Sequence, residues 1–233
     1  MLLLFSLLAG GCVMEGGHVI RGDGNIVALE QELEAFTGIH MGGTYEALLI
    51  PSEQFRISLE TDENIVDITE IRVENNVLYI RTLEDGAIRP SKMDMRIYFP
   101  VLEKLEVGGA CRLLSKGVLS GDRLHIDVSG AADLQFELDV KELVTKISGA
   151  ANLNFSGDAQ RHQASLSGAS NVRAEKLHTR ETDIRLSGAG SAHVHATELL
   201  KASLSGAGSI RYHGEPSQVI ADRSGLGRIR PAN

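Results

Sequence analysis

The sequence predicts an all-β protein, a single-stranded parallel β-helix with coils of about 19 residues. Three observations carry this. A phrase recurs as Ser129-Gly130-Ala131, Ser148-Gly149-Ala150, Ser167-Gly168-Ala169, Ser187-Gly188-Ala189 and Ser205-Gly206-Ala207, with degenerate copies at Gly108-Gly109-Ala110 and Ser224-Gly225-Leu226. The steps between copies are 21, 19, 19, 20, 18 and 19 residues. On both sides of each copy, apolar and polar residues alternate with the period of a strand. A coil of this length is too short for a strand-helix-strand crossover, and an antiparallel sandwich has no need of the same corner at the same spacing.

The alternation is consistent from copy to copy. One residue before the phrase stand Val107, Val128, Ile147, Leu166, Leu186 and Leu204, and Arg223 breaks the row. Five residues after its start come Leu113, Leu134, Leu153, Val172, Ala192, Ile210 and Ile229. The alternate positions are polar, as in Lys146, Arg185, Asn154 and Arg211. Each coil is therefore expected to hold at least two strands joined at a Gly-Ala corner, with the apolar positions stacked inside as ladders. Glycine permits the bend, and small side chains let coils approach. Seven coils span roughly 30 Å at about 4.8 Å each.

The chain divides into three parts. Residues 1–11 are apolar and then small, as in a secretory signal, and too short to cross a membrane as a helix. Ala9-Gly10-Gly11-Cys12 resembles the lipobox of bacterial lipoproteins, which implies cleavage before Cys12 and lipidation of that residue. Residues 12–29 then comprise the lipidated cysteine and a flexible tether, and residues 30–230 form one β-helix domain. Within it, residues 30–107 make irregular N-terminal coils and a cap, and residues 108–230 make the regular coils. Ile39-His40-Met41-Gly42-Gly43 looks like one more corner, 66 residues before the Gly108 copy. A helical turn falls in residues 63–70, a turn at Asn75-Asn76, and a loop over residues 83–91. Cys111 takes a corner position held elsewhere by Ala132 and Ala151, so a small buried residue is expected there. With Cys12 lipidated, no internal disulfide is expected.

Gly24-Asn25-Ile26, Phe36-Thr37-Gly38-Ile39, Glu60-Thr61-Asp62-Glu63-Asn64, the strand Asn75 to Ile80 and the serial Ser-Gly-Ala corners together resemble the putative auto-transporter adhesin, head GIN domain family of Bacteroidetes envelopes. The resemblance covers roughly residues 30 to 225. It implies a right-handed β-helix on an exported, often lipid-anchored protein, and it supplies no catalytic residues.

Chemistry is sparse. A net charge of −8 argues against nucleic acid as a partner and against simple adhesion to anionic lipid. Trp is absent, and no phosphate loop, nucleophile elbow or zinc-finger spacing occurs. His193, His195 and His213 share an outer face, with His195 and His213 one rung apart; they are the candidate metal ligands, opposed by Arg211 beside His193. A ladder of Asp133, Asn152, Asn171, Ser191 and Ser209 reads as turn-stabilising. Outer acids Asp127, Glu137, Glu175 and Asp183 are dispersed among Arg and Lys rather than paired across a cleft. The expectation is a non-catalytic envelope lipoprotein, exported and lipid-anchored in the outer membrane. It is adhesin-like, carries no cofactor, and presents a rigid surface to a glycan or an envelope or surface protein. The alternatives are a polysaccharide lyase or hydrolase on the same scaffold, and a self-assembling structural protein.

The coil register makes a direct prediction. Leu186→Asp places a charge in an interior ladder and strongly destabilises the fold, whereas Arg185→Asp on the outer face is nearly neutral. Urea midpoints of the two variants check it, and equal tolerance overturns the register.

Overall fold

The computed structural model describes residues 18–232, and in its N-terminal half the order of elements in space departs from their order in the chain. The elements there are β1 (Val19–Arg21), β2 (Ile26–Glu32), β3 (Gly38–Gly42), β4 (Thr44–Pro51), β5 (Arg56–Asp62), α1 (Glu63–Asp67), β6 (Thr69–Glu74), β7 (Val77–Thr82), β8 (Ala87–Arg89), β9 (Met93–Phe99) and β10 (Lys104–Val107). The regular half follows as β11 (Ala110–Val128), β12 (Ala131–Ile147), β13 (Ala150–Leu166), β14 (Ala169–Leu186), β15 (Ala189–His195), β16 (Leu199–Leu204), β17 (Ser209–His213), β18 (Gln218–Arg223) and β19 (Arg228–Pro231). Together they build a β-solenoid of about 7 turns.

The coil formed by β3 and β4 turns at Gly42-Gly43. On one side it carries β10 and β11, in parallel register Met41 to Val107 and Ala47 to Leu113. This is the 66-residue offset expected from Ile39–Gly43. On its other side lie β7 and β9, in parallel register Met41 to Ile80 and Leu49 to Ile97. The coil of residues 38–51 therefore sits between two coils that both follow it in sequence. Beyond β7 and β9 the chain direction reverses. β5 lies antiparallel to β9, β6 antiparallel to β7, and β2 antiparallel to β5. Between β6 and β7 the reversal is made at Asn75 and Asn76, whose φ values of 52° and 61° suit a two-residue hairpin turn that twists with its strands. The irregular coils expected in chain order are thus replaced by one out-of-order coil and an antiparallel cap. The tether expected through residue 29 is also corrected where it is described: Val19–Arg21 pairs with Ala87–Arg89, and Ile26–Glu32 pairs with β5. The proposed signal sequence and Cys12 lie outside the described residues.

In the regular half each coil bends again away from its Ser-Gly-Ala corner. Pairing between β12 and β13 runs over Ala131–Val140 and Glu142–Ile147 and lapses at Lys141; it lapses likewise at Asp122 and Gln160 in the neighbouring pairs. The unequal repeat lengths are absorbed locally. The 21-residue step bulges between Leu114 and Val118, where Gly117 takes a φ of 117°. The 20-residue step bulges opposite residues 154–156. The 18-residue step shortens its coil between His195 and Leu199.

The interior ladders are as read. Val107, Val128, Ile147, Leu166, Leu186 and Leu204 are buried, and Phe136 stacks on Phe155 with ring centroids 5.9 Å apart. Each such aliphatic side chain contributes on the order of 1.5–3 kcal/mol by leaving water. A few polar groups enter the core and are paired there. His162 is buried with Nε2 3.3 Å from Thr145 Oγ1, and burial drives its pKa down to about 4, so the ring is neutral. Thr179 and Thr182 both donate to the carbonyl of His195, where the 18-residue coil is shortened.

The corner glycines serve stacking rather than bending. Gly130, Gly149, Gly168 and Gly188 have ordinary negative or extended φ, yet a Cβ on any of them would overlap the carbonyl oxygen of the corner glycine one coil before. The contact is backbone, so nothing flexible can yield. Gly149→Ala is accordingly expected to cost roughly 2–3 kcal/mol by overpacking. Gly121→Ala, whose Cβ would meet only a Val101 methyl at 3.4 Å, should stay within about 0.5 kcal/mol of the parent in urea denaturation.

Candidate functional site

The largest concavity, ≈ 870 Å³, runs along the corners of the coils beneath the overhanging segment Ile88–Met93. Its floor is laid by the residue that ends each Ser-Gly-Ala phrase. Ala110, Ala131, Ala150 and Ala169 are in direct register, and their exposed methyls repeat about every 4.8 Å. Two residues further on, side chains emerge on the same face and form one wall: Arg112, Asp133, Asn152 and Asn171. Asn171 Nδ2 donates to Asn152 Oδ1 at 3.2 Å, and Ser191 Oγ donates to Asn171 Oδ1 at 2.9 Å. The ladder thus satisfies itself from rung to rung. Arg112 lies between Glu46 and Asp133, 3.4 Å from each, so the carboxylates bordering the groove share one guanidinium.

The overhang is held by Asp62. Its carboxylate accepts from Ser91 N at 2.7 Å, Ser91 Oγ at 2.5 Å and Gly24 N at 2.8 Å. Gly22 passes so close that a Cβ there would overlap the carboxylate. Thr61 Oγ1 donates to Lys92 O at 2.6 Å, and Asn64 Nδ2 donates to Arg21 O at 2.8 Å. The hydrogen bonds from Ser91, with that from Gly24, hold the Asp62 carboxyl below its usual range. Asp62 stands in Glu60–Asn64, a stretch that carried part of the family resemblance but no sign of a clamp. Its partners lie 29 and 38 residues away, and no local pattern signals them.

Tyr45 and Cys111 close the inner end of the groove. Tyr45 is buried, with its hydroxyl 2.9 Å from Thr82 Oγ1. Cys111 is buried as expected, and desolvation pushes its thiol up to about 11, which removes it as a nucleophile at neutral pH.

The three candidate histidines are near one another but not convergent. His195 and His213 are paired in register, and His193 pairs with Arg211. The rings of His193 and His213 are 5.9 Å apart, while His195 packs edge-on against His178 at 5.0 Å. Thr179 N donates to His195 Nδ1 at 3.3 Å. Burial, with neighbouring cations and imidazoles, lowers the pKa of both His193 and His195. Among the described residues no group of three or more His, Cys, Asp or Glu is arranged to hold a metal ion. Of the dispersed acids, Asp183 is paired with Arg185 at 2.9 Å, and none of Asp127, Glu137, Glu175 and Asp183 lines the groove.

A rod of stacked coils with a repetitive groove along one corner and a docked cap at one end defines a class: the β-solenoid proteins. A family profile described as putative auto-transporter adhesin, head GIN domain, matches residues 35–216, and the chain belongs to that family. A putative adhesin from Bacteroides fragilis superposes with a TM-score of 0.86 at 23% identity, covering 91% of this chain and 100% of that one. A putative adhesin from Parabacteroides merdae gives 0.69 at 22%, covering 92% and 99%. A protein from Parabacteroides distasonis described as a putative lipid binding protein gives 0.73 at 20%, covering 93% and 100%. No curated protein matches the chain.

Because the Asp62 pKa is depressed in the folded protein, its contribution to holding the overhang is fully present above about pH 4 and is lost as pH falls through the lower folded value. Asp62→Ala should therefore speed hydrogen exchange at the Ser91 and Gly24 amides by about tenfold or more at pH 7. The wild-type rate, corrected for intrinsic exchange, should approach that of the variant only in strong acid.

Proposed function

We propose that this chain is a non-catalytic, adhesin-like lipoprotein of the cell envelope that recognises an extended glycan along the alanine-floored groove. The observation that carries the reading is the groove itself. Its floor offers the same methyl at successive rungs, beside a row of polar side chains at the same interval, as a polymer of like units requires. Family membership supports an exported, surface-directed role. The apolar stretch before Ala9-Gly10-Gly11-Cys12 supports attachment through Cys12, in the outer membrane on this proposal. The carboxylates nearest the groove are engaged by Arg112, which favours binding over acid-base cleavage.

An array of host and bacterial glycans tests this with the chain starting after Cys12. Specific capture is expected, weakened about tenfold by Ala150→Leu, which fills the floor, or by Asn152→Leu with Asn171→Leu. Cleavage of any polysaccharide by the purified protein would instead establish the enzyme reading.

A further inference from the structure

Beside the wall of the groove, on the same outer face, a second ladder changes character along the rod. Gln135, Asn154, Arg173, His193, Arg211 and Arg230 follow one another in register on successive coils. Arg228 stands above Ser209 in the adjoining row. From Arg173 onward the stripe is cationic, in a chain whose net charge is −8. Fifteen ion pairs occur among the described residues, and they engage most other arginines, yet none of them involves Arg173, Arg211, Arg228 or Arg230. Arg211 Nε and His213 Nε2 are also screened from solvent without an acceptor in the protein. One carboxylate, that of Glu175, acts on His193 against Arg211, His213 and Arg173. Glu175 Oε2 is itself without a hydrogen-bond partner. Arg211 and Arg230, one rung apart, and Arg173, two rungs from Arg211, repel one another in the free protein, and an external anion offsets that repulsion.

The geometry points to a binding site for a linear anionic polysaccharide, with Arg173, His193, Arg211 and Arg230 meeting charged groups repeated along its chain. The inference goes beyond the glycan reading above: it places a second site beside the groove and names the charge of its ligand. The stripe is one side chain wide and parallel to the rod axis, which suits a single polymer strand rather than a planar anionic membrane. Tyr212, on the neighbouring strand position, is turned into the core, so no aromatic platform is offered for stacking nucleobases. Amides and hydroxyls (Asn154, Asn171, Ser191) continue the face beyond the cations and supply partners for sugar hydroxyls.

The pH dependence follows from the groups around His193. Burial, with Arg211, His213 and Arg173 nearby, lowers its pKa, and Glu175 opposes them. A bound anion offsets the cations and raises it, so binding takes up a proton and tightens as pH falls.

The full chain should be assayed against immobilised polyuronate, a sulfated polysaccharide and a neutral glucan. Binding to a charged polymer is expected to weaken by about tenfold between low and 0.3 M salt. It should tighten severalfold from pH 7.5 to 5.5 and fall about tenfold in Arg173→Ser with Arg230→Ser, both exposed positions. Whether polyuronate or the sulfated chain binds tighter identifies the anionic group. Arg161→Ser, a cation paired with Glu181 on another face, should bind as the parent does. Ala150→Leu separates the two sites: it blocks the groove and leaves the stripe's salt-dependent binding in place. Equal binding to the neutral glucan, equal loss in Arg161→Ser, or tighter binding to single-stranded DNA or anionic vesicles overturns the proposal, as does no binding to either charged polymer.

Discussion

The structure depends on how closely one coil can lie on the next at its corner. At Gly130, Gly149, Gly168 and Gly188 the backbone of one coil rests on the carbonyl oxygen of its predecessor, with no room for a side chain between. That contact fixes the rise from coil to coil at one corner. The ladder hydrogen bonds then hold the same rise around the remaining faces. Everything with a repeat, from the stacked Phe136 and Phe155 inside to the alanine floor and the asparagine wall outside, inherits its spacing from this point. The outer face along the corners is therefore ruled by backbone geometry, and its side chains can vary from rung to rung without disturbing the interval.

What the sequence made legible was what the coil repeats. The corner demands glycine and the interior demands apolar residues every second position, so both leave a periodic record. The second corner of each coil leaves none. Asp122, Lys141 and Gln160 are unalike because a convex, solvated bend asks only for polarity, so its place in the coil could not be read. The buried His162 was equally hidden, since a single polar residue in an apolar ladder carries no pattern; Thr145 on the preceding coil makes it tolerable.

The site was legible in part. Alanine and asparagine rows could be read as rows, but a groove needs a second wall. That wall is the segment Ile88–Met93, brought over the corners by Asp62 and the chain near Gly22 and Gly24. These contacts join stretches far apart in sequence. The same holds for the cap. Asn75-Asn76 announces a turn, yet whether the chain returns parallel or antiparallel depends on which strands are already available to pair.

The coil of residues 38–51 lies between one coil ending at Phe99 and another beginning at Lys104. The rod therefore cannot be laid down coil by coil as the chain emerges. Until residues beyond 104 arrive, β3 and β4 have an open edge on the side that will carry the regular coils, and contacts of such long sequence separation form slowly. Assembly is expected to start among the neighbouring coils of the regular half, where each strand's partner is about 19 residues away, and to recruit the N-terminal part afterwards. If the chain is exported unfolded, in line with the envelope role proposed above, this order is an advantage. The segment that enters first is the segment least able to fold ahead of the rest.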